Sequence, residues 1–131
     1  MPRHTRHRSH YNVHWNWAMM DELVDIRRDR NCAYHNINGR SRQDFWDSVA
    51  NRINRIFRTR VSRQQCSQKW RNFVRDYHNY VLYRNGNPGR RLWTRTGVRY
   101  YREFRTRFWE RPVTCDDRRA RRNLPTYRRR R

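Results

Sequence analysis

Apolar side chains recur at helical spacing in four stretches of this chain. From Asn16 to Asp29, Trp17, Met20, Leu23 and Val24 share one face, and Arg27 falls on the same stripe. From Arg42 to Phe57, the face is Phe45, Trp46, Val49, Ala50, Ile53 and Phe57, with Arg52, Arg55 and Arg58 pointing away. Ser41, three residues before Asp44, reads as a capping-box-like start for it. The third stretch opens on a second capping box, Ser62 with Gln65, and runs through Cys66, Trp70, Phe73, Tyr77 and Val81. The fourth spans Val98 to Glu110: Val98, Tyr101, Phe104 and Phe108 face inward, Arg99, Arg102 and Arg107 outward, and Arg111-Pro112 ends it. Between them, Arg30 to Arg42 reads as a polar loop marked by Asn36, Asn38 and Gly39. Arg58–Val61 suits a tight turn between two helices, and Asn85-Gly86-Asn87-Pro88-Gly89 breaks the third helix. The pattern predicts an all-α fold: a three-helix bundle containing a helix–turn–helix, with an additional fourth amphipathic helix.

Composition alone argues for disorder, since hydrophobic residues make up only 34 % of the 131. Six Trp, eight Tyr and five Phe argue the other way, because each aromatic ring buries a large area and a small core needs few aliphatics. Three zones follow. Residues 1–14 form a basic His/Arg-rich arm with Arg3, Arg6 and Arg8. Residues 15–110 carry all the tryptophans. Residues 111–131 form an Arg-rich tail that ends in Arg128, Arg129, Arg130 and Arg131. Their formal charges of +3, +12 and +7 make up the net +22. Both end zones lack apolar periodicity and are expected to be disordered until bound.

A charge of this size attracts polyanions, and neutralising phosphates releases counterions. Of the 33 Lys and Arg residues only Lys69 is a lysine. The arginine fork holds phosphate or guanine through two bonds. A membrane surface is the competing polyanion, but the aromatics are spread over several helices, as in a core, and no apolar run reaches a membrane span. The third helix adds specific chemistry. At about 100° per residue, Gln64, Gln68, Arg71 and Arg75 lie opposite its apolar stripe, with no acid among them. Gln and Arg are the side chains that read adenine and guanine edges in the major groove.

Catalytic and metal chemistry find little support. There is no Gly-rich phosphate loop, nucleophile elbow or paired-carboxylate constellation, so neither an enzyme nor a cofactor is expected. His4, His7, His10 and His14 are spaced for a metal but lack Cys or carboxylate partners nearby, and read as a solvated arm. Cys32 with His35 is weaker still. Cys66 lies on the apolar stripe as a small hydrophobe, and Cys115 is in the tail, as is the acidic pair Asp116-Asp117. Three widely spaced cysteines give no disulfide framework, which suggests a reducing setting.

The arrangement resembles Myb/SANT-like domains of the trihelix type. Trp17, Trp46 and Trp70 mark three successive helices, and Phe45-Trp46-Asp47-Ser48-Val49-Ala50 is similar to the second-helix W-x-x-(I/V)-A of that superfamily. Gln65-Cys66-Ser67-Gln68-Lys69-Trp70-Arg71-Asn72-Phe73 resembles the Q-C-x-x-K-W-x-N-L signature, followed by Tyr77. Trp15-Asn16-Trp17-Ala18 departs from it, lacking the usual Thr/Ser-x-x-Glu. The resemblance covers about residues 15–110. It implies that the third helix enters the major groove, with Arg63, Gln64, Ser67, Gln68, Arg71 and Arg75 as DNA contacts. It also implies that Trp17, Trp46 and Trp70 are structural core, as the apolar faces imply for Phe73, Tyr77 and Phe104. The expected partner is double-stranded DNA, for a nuclear transcription- or chromatin-type factor, with no membrane partner. The alternatives are a non-specific packaging or architectural protein, of virion or nucleoid type, and an RNA or ribonucleoprotein binder.

Overall fold

The computed structural model describes residues 13–36, 39–87 and 92–112, and for residues 39–41 only the backbone. Helix α1 (Trp17–Asp29) starts at Asn16, whose side chain accepts from the Met19 N–H at 2.8 Å. Helix α2 (Asn31–Asn36) follows almost at once, then α3 (Gly39–Phe57), α4 (Arg63–Arg84), α5 (Arg95–Arg99) and α6 (Tyr101–Phe104). No strand occurs among the described residues. The fold is all-helical. Helix α4 is the central element, packed against α3, α5 and α6, and α1 packs against α3 and α4.

Apolar periodicity accounts for most of the core. Leu23 and Val24 of α1, Val49 and Ile53 of α3, Cys66, Trp70 and Phe73 of α4, and Phe104 of α6 are all buried. Helix α1 buries more than its predicted stripe, adding Met19 and Ile26, because it is covered from more than one side. Trp17 is only partly buried. It packs at the core margin, with the Arg99 guanidinium 4.7 Å from its ring.

The turn between α3 and α4 is held by one side chain. The Asn54 carboxamide oxygen accepts from the Val61 N–H at 2.8 Å and the Thr59 hydroxyl at 2.9 Å, and its nitrogen donates to the Val61 carbonyl at 3.0 Å. These three bonds let Arg58 adopt φ +57°, a left-handed conformation that is uncommon for a residue other than glycine. Helix α4 ends in a Schellman motif: Gly86 takes φ +87° and donates to the Tyr83 carbonyl, and the Asn87 N–H donates to the Leu82 carbonyl.

Three sequence expectations are corrected. Within the expected loop, residues 31–36 form α2 and residues 39–42 already belong to α3, so Ser41 lies in the first turn of that helix and not before it. Tertiary contacts hold this polar stretch. The Asn31 side chain donates to the Glu110 carbonyl at 3.0 Å, and Tyr34 packs edge-on against Phe45 and Trp46. Secondly, the fourth helix is two short helices followed by turns. Thr94 starts α5 early by accepting from the Gly97 N–H at 3.0 Å, and the helix breaks at Tyr100, whose hydroxyl reaches inward to Asp21 at 2.7 Å. The inward residues are therefore Gly97, Tyr100, Glu103, Phe104 and Phe108, while Val98 is exposed and Tyr101 half-buried. Thirdly, Cys32 is disulfide-bonded, against the expectation of no disulfide framework; Cys66 is free and buried.

Candidate nucleic-acid interface

Helix α4 is placed by its ends and its apolar stripe. At the start, the Ser62 hydroxyl accepts from the Gln65 N–H at 3.1 Å, and the Gln65 side chain accepts from the Ser62 N–H at 2.9 Å. Both arms of a capping box are thus made, and two of the helix's orphan donors are satisfied. Cys66, Trp70, Phe73 and Tyr77 are buried, which fixes the rotation of the helix. Burial pushes the Cys66 thiol up to about 12, so it stays a protonated hydrophobe.

That rotation leaves Gln64, Gln68, Arg71 and Arg75 exposed, with Ser67 and Arg63 half-buried at the margins. Gln64 and Arg75 lie about 16 Å apart at 1.5 Å of rise per residue, a length suited to one groove. The exposed residues are cross-linked along the helix. Arg71 Nη2 donates to Gln68 Oε1 at 2.7 Å, and Gln68 Nε2 donates to Asn72 Oδ1 at 2.9 Å. Ser67 Oγ turns back to the Gln64 carbonyl at 3.2 Å. Arg63 Nη1 meets Asp47 of α3 at 3.1 Å, a bond between the two arms of the helix–turn–helix.

Electrostatics favour an anion on this face. The one carboxylate of α4, Asp76, is buried; it accepts from the Thr96 hydroxyl at 2.5 Å and from Arg75 at 3.3 Å. Lys69 is not part of the face. Its ammonium lies 5.9 Å from the Trp15 ring and 5.7 Å from that of Phe73, and burial pulls its pKa below the usual 10.5.

The acidic stretch of α1 is matched by the domain's own arginines. Asp21 receives Arg99 at 2.8 Å, Glu22 receives Arg52 at 2.8 Å, and Arg28 meets Asp25 at 3.1 Å and the deeply buried Glu103 at 2.6 Å. Glu22, Asp25 and Asp29 also line a cleft of about 420 Å³ beside α3, together with Arg30 and Arg52. No group of three or more His, Cys, Asp or Glu among the described residues is arranged to hold a metal ion.

Residues 12–106 match the Myb/SANT-like DNA-binding domain family. The chain belongs to that family. No curated protein and no solved structure matches it. The Myb/SANT-like domain makes this a DNA-binding protein, and no helix among the described residues is long and apolar enough to cross a membrane. Within the domain, Trp46, Trp70, Phe73, Tyr77 and Phe104 lie in the core. Arg3, Arg6, Arg8 and Arg128–Arg131, together with His4, His7, His10 and Cys115, lie outside the described residues. Residue patterns alone did not single out Asn72, which completes the Gln68 chain, or Asp47, which holds Arg63. Both are partners from outside the exposed Gln/Arg set: Asn72 stands four residues after Gln68, a spacing that could have found it, whereas Asp47 lies on α3 and local spacing carries no mark of it.

Proposed function

We propose that the protein binds duplex DNA by setting α4 into the major groove, braced by α3. Gln64, Gln68, Arg71 and Arg75 meet base edges or phosphates there, and Arg63 and Ser67 meet the adjoining backbone. The observation that carries this reading is the exposed face of α4: two Gln and two Arg with its single carboxylate turned inward. The Arg-rich segments 1–14 and 111–131 add phosphate contacts that carry no sequence information. The domain thus occupies residues 15–110, and the protein acts by binding, as a nuclear transcription- or chromatin-type factor.

A second reading has its own support. A net charge of +22 with one lysine suits a coating or packaging protein that ignores sequence. Selection from a random duplex pool at roughly 150 mM salt, where surface charge is partly screened, separates the two. The proposal expects a motif of a few base pairs to be enriched, and expects duplex DNA to outcompete structured RNA of equal length. Removal of residues 118–131 should weaken binding to every duplex alike and flatten its salt dependence, leaving the motif. Tight binding with no enriched motif would favour packaging, and preference for the RNA would overturn the DNA reading.

A further inference from the structure

Three side chains on α4 form a directed chain: Arg71 to Gln68, and Gln68 to Asn72, at 2.7 and 2.9 Å. Its polarity is forced. Guanidinium has only donors, so the Gln68 oxygen must face Arg71. The Gln68 nitrogen then faces the other way, onto the Asn72 oxygen. Residues 68, 71 and 72 stand at i, i+3 and i+4, so all three lie on one side of the helix.

This arrangement gives the two reading candidates different roles. A Gln reads adenine bidentately through its oxygen and nitrogen together. In Gln68 one oxygen lone pair and one of the two N–H donors are already engaged, and these two bonds hold the amide along the helix between Arg71 and Asn72. Arg71 has five N–H donors, and the bond to Gln68 occupies one, leaving a complete fork for the O6 and N7 acceptors of guanine. The bond also restrains a long side chain whose ordering otherwise opposes binding.

Given the duplex-reading role proposed for α4, on which this inference rests, we infer that Arg71 selects guanine and that Gln68 and Asn72 are positioning residues that hold its guanidinium. Specificity at that base pair then depends on Asn72, which itself touches no base. The acceptor oxygen of Asn72 is what matters, so Asp serves in its place and Ala does not.

The test uses the full chain and its Arg71→Ala, Gln68→Ala, Asn72→Ala and Asn72→Asp variants. Each is titrated with duplexes that differ only at the guanine the wild type selects. The readout is the preference ratio, guanine over the other bases, with thermal unfolding as a check on folding. Wild type should show a ratio of roughly 5- to 150-fold, the span of one bidentate pair. Arg71→Ala should abolish it. Asn72→Ala and Gln68→Ala should reduce it at the same base pair, and Asn72→Ala should do so with little change in affinity for unrelated duplexes. Asn72→Asp should weaken binding to all duplexes through its charge, yet keep the ratio. An unchanged ratio in Asn72→Ala, or its loss in Asn72→Asp, would overturn the positioning role. So would loss of an adenine preference at a neighbouring pair in Gln68→Ala. If wild type shows no base preference, or Arg71→Ala weakens all duplexes equally, the base-reading role of α4 falls as well.

Discussion

At the scale of single residues, the least expected feature is a buried guanidinium. Arg27 is 2 % exposed, lying 3.9 Å from the Tyr34 ring centroid and 5.2 Å from that of Trp70. It donates to Asn31 at 2.5 Å and, at 3.4 Å, to the Trp109 carbonyl. Burial lowers its pKa to about 10, which leaves it charged at neutral pH. Two aromatic faces and neutral oxygens therefore solvate this cation. Its place on the α1 stripe was visible in the helical spacing; its ring partners were not, because they come from α2 and α4. His35 meets the same 109–110 segment, donating Nε2–H to the Trp109 carbonyl at 2.8 Å. Burial, aided by Arg27, Arg111 and Arg42, lowers its pKa below the usual 6.5. The unfolded chain thus takes up this proton first. The stability that neutral His35 contributes is complete above about pH 6.5 and is lost as pH falls through the folded value. Chemical denaturation of wild type from about pH 7.5 down to 5.5 should show declining stability, and a shallower decline in His35→Gln. Equal slopes would refute the assignment.

Elements differ in how far local signals reach. Helix α4 was legible almost whole: Ser62 and Gln65 mark its start, Gly86 its stop, and four buried residues its rotation. For such an element the cap has a definite energy. Ser62→Ala should destabilise the domain by about 1 kcal/mol in denaturant unfolding. No change would mean that the capping box contributes nothing to the placement of α4. The region after α4 was legible only in outline. Phe104 and Phe108 point inward as their spacing suggests, but Tyr100 is drawn to Asp21 and Glu103 to Arg28, and these bonds break a single helix into α5 and α6. Gly97 permits the close crossing: a β-carbon there would lie 2.9 Å from the Asp76 carbonyl oxygen and 3.2 Å from Tyr80 Cβ. Likewise, the polar residues 31–36 read as loop, yet they form α2 because Asn31 and His35 bind the 109–110 segment. Interactions 74 to 79 residues apart leave no trace in a local pattern.

For the whole molecule, charge and fold divide the work. The carboxylates of α1 are matched by Arg99, Arg52 and Arg28, so the domain's few acids largely serve its own cohesion. Exposed arginines lie on α4, and others, Arg95, Arg102 and Arg105, on and just after α5 and α6. The DNA-binding class was legible from charge and from the Gln65–Phe73 signature. The division between Arg71 as reader and Gln68 as holder was not, since it depends on which atoms of three side chains meet. The proposed DNA-binding mode requires α4 to occupy the major groove. The most direct test is methylation protection with dimethyl sulfate, which attacks guanine N7 in the major groove and adenine N3 in the minor groove. On the duplex most enriched by wild type, α4 should protect a few adjacent guanines at N7, with protection lost at one of them in Arg71→Ala. Binding with uniform N7 reactivity, or with protection confined to adenine N3, would contradict that binding mode.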